Sequence, residues 1–383
     1  MPRLQIMDTT IRDGQQSLWA TRMQIGDMLP ILPKMDRVGY WAIEAWGGAT
    51  FDTCMRFLDE NPWERLRSIK AQTPNTPLAM LSRGQNLVGY KHYSRDICNH
   101  FIKAAKRNGV HVFRVFDALN DIRNVVDNAE AIKECGGHFE GAISYTMSPV
   151  HTLDSFLDYG QKLKDLGADS ICIKDMAGML TPYRTERMVK AFNAEIGLPL
   201  HIHCHYVGGM APANILKAAE AGAAIADTAH APLAFGNSHP AVEMIVAALQ
   251  ESRYDTGLDL DLLFEIADPR LDLVTLTGVE VAQDRSFARV YVSCDGDRYE
   301  EVLEALNAAK GRIRSLLARA LDWRVTPELA FQIDRSTDEA EAISRALENV
   351  PATLSVEKDE FGYPLADSEG EDTDSDEEDV DEQ

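Results

Sequence analysis

The chain has 383 residues, 45% of them hydrophobic and 26% charged, with a formal net charge of −23. This balance describes a soluble globular protein of two or three domains with ample chain for a large core. No apolar run is long enough to cross a bilayer, and Met1-Pro2-Arg3-Leu4 is not a signal peptide, so membrane insertion is not expected. The charge is uneven. Residues 357–383 hold fourteen Asp or Glu and one Lys, a self-repelling run that predicts a disordered acidic tail over 351–383. The rest is mildly acidic and says little about partners. Six scattered cysteines, at 54, 98, 135, 172, 204 and 294, fit reduced thiols and a cytoplasmic location.

From residue 3 to about 250 a short apolar strand, a loop and an amphipathic helix repeat. The predicted strands are Leu4–Asp8, Ala42–Trp46, Leu78–Leu81, Val112–Phe116, Phe139–Tyr145, Ser170–Lys174, Leu200–His205 and Ala224–Thr228. Helices lie between them, for example over 154–166, 182–195 and 212–221. Gly39, Gly109, Gly167 and Gly222 fall where those helices should end. Alternating strand and helix implies parallel pairing with right-handed crossovers. Eight such units over about 250 residues predict an α/β fold, a (β/α)8 TIM barrel. A doubly wound open sheet is the alternative, but no G-x-G-x-x-G follows the first strand.

A barrel places its chemistry at the carboxyl ends of its strands. The polar residues that interrupt the apolar pattern fall there. They include Asp13 and Gln16 after strand one, Asp52 after strand two, and Arg83 and Tyr90 after strand three. Strand four gives Arg114 and Asp117, and strand six ends in Lys174-Asp175. Strand seven reads His201-Ile202-His203-Cys204-His205. Residues i and i+2 of a strand share a face, so two imidazoles can meet one ion. An isolated H-x-H is as compatible with partly exposed strand histidines. Asp13 with His203 and His205 is a donor set suited to Zn²⁺, Mn²⁺ or Co²⁺. His201 lies one step deeper, and Cys204 should face away. Lys174 arrives from the adjacent strand. It could serve as a base, form a Schiff base, be carbamylated into an anionic ligand, or simply pair with Asp175 or Asp13.

Seven colinear motifs carry a family resemblance. They are Asp13-Gly14-Gln15-Gln16-Ser17-Leu18-Trp19-Ala20-Thr21-Arg22, Trp46-Gly47-Gly48-Ala49-Thr50-Phe51-Asp52, Asn61-Pro62-Trp63-Glu64-Arg65-Leu66, the run 81–90 from Leu81 to Tyr90, Phe113-Arg114-Val115-Phe116-Asp117-Ala118, Ile173-Lys174-Asp175-Met176-Ala177-Gly178, and the histidine stretch. Over residues 1–262 the chain resembles the biotin-dependent carboxyltransferase domains of pyruvate carboxylase, the oxaloacetate decarboxylase α chain and the transcarboxylase central subunit. The resemblance implies a divalent metal (Zn, Mn or Co) held by Asp13, carbamylated Lys174, His203 and His205. It implies Arg83 and Gln16 on the carboxylate and carbonyl of a keto acid, and Asp52 and Tyr90 supporting Arg83 and the biotin pocket. Lys174, Arg83 and Gln16 would then be catalytic. The implied reaction moves a carboxyl group between biotin and pyruvate or oxaloacetate through an enolate. The implied partners are a biotin carrier protein in trans, since no Ala-Met-Lys-Met occurs here, and a second copy joined through the barrel. Lyase and synthase relatives acting on 3-hydroxy-3-methylglutaryl or isopropylmalate skeletons share the Asp-Thr-Thr-x-Arg-Asp-Gly opening but lack the Trp-Gly-Gly and Arg-Gly-Gln-Asn motifs.

After Asp259 the resemblance stops. The family's long helical extension, which closes over the site, has no counterpart, and Val325-Thr326-Pro327 is read as coincidence. Poor biotin-dependent turnover is the expected consequence. From residue 267 to 350 the predicted order is ββαβα, with strands over 273–281, 287–293 and 328–334 and helices over 299–321 and 337–349. Asp268-Pro269-Arg270-Leu271 and the helix around Ala309-Lys310-Gly311 resemble ribosome-binding factor A, a small α+β KH-like domain. The stretch 260–267 stands as a short substitute for that family's first helix. The resemblance implies binding to small ribosomal subunit RNA through Lys310, Arg312 and Arg314. Residues 268–350 hold eleven basic and sixteen acidic residues, so an ordinary solvated helix face is an equal reading.

Overall fold

The structure, a computed structural model, describes residues 3–266, 274–294, 296–320 and 326–335. The predicted helix over 337–349 and the acidic tail lie outside the described residues. Strands β1 (Gln5–Asp8), β2 (Ala42–Gly47), β3 (Leu78–Ser82), β4 (Val110–Phe116), β5 (His138–Ser144), β6 (Ser170–Asp175), β7 (Leu200–Cys204) and β8 (Ile225–Thr228) follow one another in the chain. Each pairs in parallel with the next, and β1 pairs with β8. That last pairing closes the sheet into a barrel and excludes the open doubly wound alternative. Strands β2, β3, β6 and β7 are buried along their whole length, because helices cover the outside and side chains fill the inside. Gly222 ends the helix Ala211–Ala221 at φ 98°, a left-handed cap that a side chain would strain.

Two of the motifs noted above are packing motifs. Trp46, fully buried at the end of β2, lies 4.9 Å from Trp63, 5.4 Å from Phe51 and 5.8 Å from Phe101 between ring centres. The helix carrying Trp63, Pro62–Gln72, starts on Asn61, whose side chain accepts from the Trp63 and Glu64 amides. An N-cap of this kind stabilises a helix by about 1 kcal/mol and here also orients the indole. The aromatic cluster braces the β2 end from which Gly47 and Gly48 lead into the barrel mouth.

The barrel interior is charged where a TIM barrel is ordinarily aliphatic. Register explains which groups meet. Arg114 on β4 stands opposite Glu140 on β5, and Cys172 and Lys174 on β6 stand opposite His201 and His203 on β7. Arg114 is fully buried and donates to Glu140 Oε1 at 2.5 Å and to Asp227 Oδ2 at 2.5 Å, with Glu44 Oε1 at 3.9 Å. His201 bridges Glu140 and Asp227 at 2.8 and 2.7 Å. Burial alone would lift the Glu140 and Asp227 carboxyls, but Arg114 and His201 hold both below the ordinary carboxylate range. His201 is therefore a member of this floor beneath the mouth.

Another buried carboxyl behaves differently. Asp8, at the end of β1, accepts from the Thr10 amide at 3.0 Å and the Thr10 hydroxyl at 2.7 Å. Burial pushes it up to about 6, against the pull of His230 and Thr10 and with a smaller push from Glu243. A carboxyl raised in the folded state is protonated there before it is in the unfolded chain, so its contribution to stability grows as pH falls through 6. Asp8→Asn removes this titration. Between pH 7.5 and 5, wild type should gain roughly 1 kcal/mol over the variant in denaturant unfolding. Parallel pH profiles would show that Asp8 titrates normally.

After Gln250 the helix Leu260–Ile266 packs onto the barrel. Leu263 is fully buried in the barrel core, and Leu258, Leu260 and Leu262 pack against the same core. The stretch expected to substitute for the first helix of a second domain thus covers the barrel. Strands β9 (Thr275–Val281), β10 (Phe287–Ser293) and β11 (Glu328–Ile333) form a separate sheet in the order β11-β10-β9. β10 runs antiparallel to β9 and parallel to β11, as a helical crossover between β10 and β11 requires. That crossover is Tyr299–Ala320, whose Val302 and Leu306 pack on Ala288, Val290, Val292 and Leu329. The predicted ββαβ order is present.

Candidate metal centre and active site

Asp13 leaves β1 on the π-helical turn Thr10–Gly14, a wide turn of the kind that recurs at functional sites. Its carboxylate reaches over the barrel mouth and is 3% exposed. Three imidazoles and an amine surround one of its oxygens. From Asp13 Oδ2, His239 Nε2 is 3.2 Å away, His203 Nε2 and His205 Nε2 are each 3.6 Å away, and Lys174 Nζ is 3.9 Å away. Burial opposes the charge on Asp13, but Arg12, the hydrogen bond from His239, Lys174 and His205 together hold the carboxyl well below its ordinary range.

The ring orientations of the two strand-seven histidines are fixed from behind. His203 places Nδ1 at 2.5 Å from Asp227 Oδ2, so that nitrogen carries the proton and Nε2 presents its lone pair upward. His205 donates Nδ1–H to the backbone carbonyl of Asn237 at 2.6 Å and likewise frees Nε2. This outer support is the arrangement that orients metal-ligating histidines. Burial pushes the His205 imidazole down to about 4 and the His203 imidazole well below its ordinary range, so both are neutral at pH 7. Lys174, 2% exposed, donates Nζ–H to His203 Nε2 at 2.6 Å. Burial lowers its pKa, partly offset by Asp13. Gly178, in the loop after Lys174-Asp175, has φ +62°, and a Cβ there would sit 2.9 Å from the His205 carbonyl oxygen. Glycine is required for the β6 loop to approach the β7 ligands.

The donor set fits a divalent cation. Ligand atoms about 2.1 Å from one ion in a tetrahedral set stand roughly 3.4 Å apart. The 3.2 and 3.6 Å separations from Asp13 match that edge. A carboxylate and neutral imidazoles, with no thiolate among them, suit Zn²⁺, Mn²⁺ or Co²⁺. Cys204 points away, toward Asp175 and Asn214.

A cavity of about 270 Å³ opens beside this cluster. Asp13, Gln16, Gly48, Arg83, Lys174 and His205 line it, with Leu81, Phe116 and Met176 as apolar wall. Arg83 donates to the Gly89 carbonyl at 3.2 Å and stacks its guanidinium 4.8 Å from the centre of the Tyr90 ring. Tyr90 itself is 74% exposed at the rim. Asp52, expected to hold Arg83, instead pairs with Arg56 at 3.0 Å and does not line the cavity. What shapes the Arg83 site is Gly48: a Cβ there would lie 2.7 Å from Arg83 Cζ. On the keto-acid expectation carried by the motifs, Gly48→Ala should displace the guanidinium and lower kcat/KM for such a substrate roughly ten- to a hundredfold, with an unchanged melting curve. Wild-type kinetics in the variant would remove Arg83 from the binding role.

Sequence reasoning missed His239. It belongs to Gly236-Asn237-Ser238-His239-Pro240, the loop after β8, and is fully buried. The available signal was a histidine in the loop that follows the last barrel strand, on the side of the barrel where its chemistry sits. In the other unit, Lys310 lies 3.8 Å from Glu328 and Arg314 donates to the Thr326 carbonyl at 3.2 Å. The Arg312 side chain lies outside the described residues.

Comparison with known proteins agrees with this division of the chain. Residues 3–269 match the family described as HMGL-like, and residues 258–347 match ribosome-binding factor A. The two matches overlap across the helix Leu260–Ile266, which the structure packs on the barrel. A pyruvate carboxylase subunit of Methanocaldococcus jannaschii is 55% identical over 265 residues, covering 69% of this chain and 47% of that protein. The 2-oxoglutarate carboxylase large subunit of Hydrogenobacter thermophilus is 47% identical over 70% of this chain and 41% of its own length. The carboxyl transferase domain of Rhizobium etli pyruvate carboxylase, solved with pyruvate, superposes with a TM-score of 0.68 at 40% identity, over 70% of this chain and 46% of that one. The chain thus spans about half the length of the relatives it matches. Among the described residues no helix is long and apolar enough to cross a membrane.

Proposed function

Because this chain belongs to the HMGL-like family, we propose that its barrel catalyses biotin-dependent carboxyl transfer to or from a small 2-keto acid, with pyruvate or oxaloacetate as the first candidates. The observation that carries this reading is the juxtaposition in one mouth of the Asp13, Lys174, His203 and His205 cluster and the Arg83 and Gln16 cavity. Relatives named for carboxylation of pyruvate and of 2-oxoglutarate support the substrate class.

The chain's own residues divide the work. Arg83 offers a planar fork to the keto-acid carboxylate, a task for which lysine lacks the geometry. Gln16 has an amide N–H₂ to turn toward the substrate carbonyl. Leu81, Phe116 and Met176 offer an apolar wall beside the carbon that must lose a proton to become an enolate. Asp13, His203, His205 and the carbamate of Lys174 would hold a divalent ion, which when bound supplies Lewis acidity toward the keto-acid carbonyl. The carbamate forms when the neutral amine of Lys174 adds to CO2 and releases one proton to solvent. Biotin on a carrier in trans supplies or takes the carboxyl group, and the open rim at Tyr90 leaves room for its approach.

Metal analysis of the purified chain tests the reading. Zinc, manganese or cobalt should be near stoichiometric, lost on dialysis against a chelator, and restored by the added ion together with oxaloacetate decarboxylation. A chelated preparation that stays metal-free in added Zn²⁺ or Mn²⁺ would sink it.

A second reading attaches to the smaller unit alone. Its match to ribosome-binding factor A and its ββαβ order favour contact with small-subunit RNA. Both described basic residues of the helix already have partners, which weakens it. Salt-sensitive co-sedimentation with small ribosomal subunits is its expected result, and no association at low salt its refutation.

A further inference from the structure

We propose that His239 is a direct ligand of the metal, a third imidazole in addition to His203 and His205. This rests on the metal reading above and extends it to a residue on the eighth strand's loop.

Four observations place it there. Its Nε2 is 3.2 Å from Asp13 Oδ2, nearer than the Nε2 of either strand-seven histidine. Its ring centre is 4.6 Å from that of His203 and 4.5 Å from that of His205, so the three imidazoles enclose a common point beside the carboxylate. One ligand atom from each of the four residues falls within 4.8 Å of all the others. Finally, the His239 side chain is fully buried, yet its Nδ1 has no hydrogen-bond partner. Buried histidines ordinarily find partners for their ring nitrogens. This one spends its single polar contact on a metal-facing carboxylate.

The loop is built to hold the ring. Phe235 N–H donates to the His239 carbonyl at 2.8 Å, Tyr206 N–H to the Ser238 carbonyl at 2.8 Å, and Ala229 N–H to the Pro240 carbonyl at 3.1 Å. His205 donates to the Asn237 carbonyl at 2.6 Å. The residues flanking His239 are thus tied to β7 and β8, and His205 fixes both its own ring and the loop bearing the third one. The chemical consequence is a centre with one carboxylate and three imidazoles before Lys174 contributes. Such a set keeps an ion when the Lys174 carbamate is absent, with the weaker affinity expected of fewer anionic ligands.

The test uses the full chain and Co²⁺ alone. Affinity is read by competition with a chelating dye, and ligand geometry by the visible absorption of the bound ion. Wild type, His239→Ala, His239→Gln and Lys174→Ala are compared, each first shown to be folded without metal by circular dichroism. His239→Gln keeps a side-chain amide that can still donate to Asp13. Both His239 variants should lose affinity by on the order of a hundredfold and shift the Co²⁺ band. Added imidazole should restore band and affinity in His239→Ala and leave wild type unaffected. Unchanged affinity and band in both variants overturns the ligand role and leaves the proposed function standing. Weaker affinity with an unchanged band also overturns it, since His239 would then only position Asp13. Failure of wild type to bind Co²⁺ defeats the metal reading itself.

Discussion

On the proposed carbamate, Lys174→Ala should retain the barrel but hold a divalent metal roughly a thousandfold more weakly than wild type, because it would delete an anionic ligand from a buried site. Lys174 is opposite His203 in the sheet register and delivers Nζ within 3.9 Å of Asp13 Oδ2. A carbamate there would add a second negative charge against a divalent ion at a buried position. Two measurements isolate this role. Wild-type metal affinity should rise with added bicarbonate, while that of the variant should not respond. Intact-protein mass spectrometry under mild conditions should show a labile carboxyl adduct on wild type only. If Lys174→Ala binds metal as tightly as wild type, or both respond equally to bicarbonate, Lys174 is a spectator amine paired with His203 and Asp13. Because His203 also loses its hydrogen-bond partner in this variant, Lys174→Gln is the useful companion. It can still donate to His203 but cannot be carbamylated, and it should lose metal just as Lys174→Ala does.

Arg114→Met is expected to be the most damaging single change in the barrel, costing about 3–5 kcal/mol or preventing folding. The guanidinium is fully buried and faces Glu140, Asp227 and Glu44. Taking it away leaves three carboxylates in the interior with little besides His201 and Arg12 to compensate them. Arg114→Lys keeps a positive charge but not the fork that reaches Glu140 and Asp227 together, and should fall between. Urea unfolding of the three chains gives the order directly. A loss below about 1 kcal/mol for Arg114→Met would mean that the carboxylates take up protons or water and that the network is dispensable. The effect should also reach the metal, since Asp227, which Arg114 anchors, is what orients His203.

Much of the site was legible one residue at a time. Asp13 follows the first strand, Lys174 and His203 interrupt apolar strands near their carboxyl ends, His205 follows the seventh, and period-two alternation set His203 and His205 on one face with Cys204 on the other. Asp52 was read from a motif into a contact with Arg83, but a carboxylate on a short helix has an arginine four residues on as its nearest partner. His239 escaped because it follows no strand pattern and stands alone in a glycine- and proline-rich loop. The charged floor escaped for another reason. Glu44, Arg114, Glu140, His201 and Asp227 come from five strands, and nothing local in any of them says that their partners exist.

The sequence by itself determined the alternation of strand and helix, the count of eight, and the ends at which chemistry would gather, because these follow from side-chain period and from where a chain must turn. Only the tertiary structure decided who meets whom. Barrel closure brings β1 beside β8, so that Asp13 and His239, 226 positions apart, share a hydrogen bond. Packing also assigned the helix Leu260–Ile266, which both family matches span, to the barrel. There Leu263 finds an apolar surface to bury, and burial of that kind depends on the whole surface rather than on the seven residues that cover it.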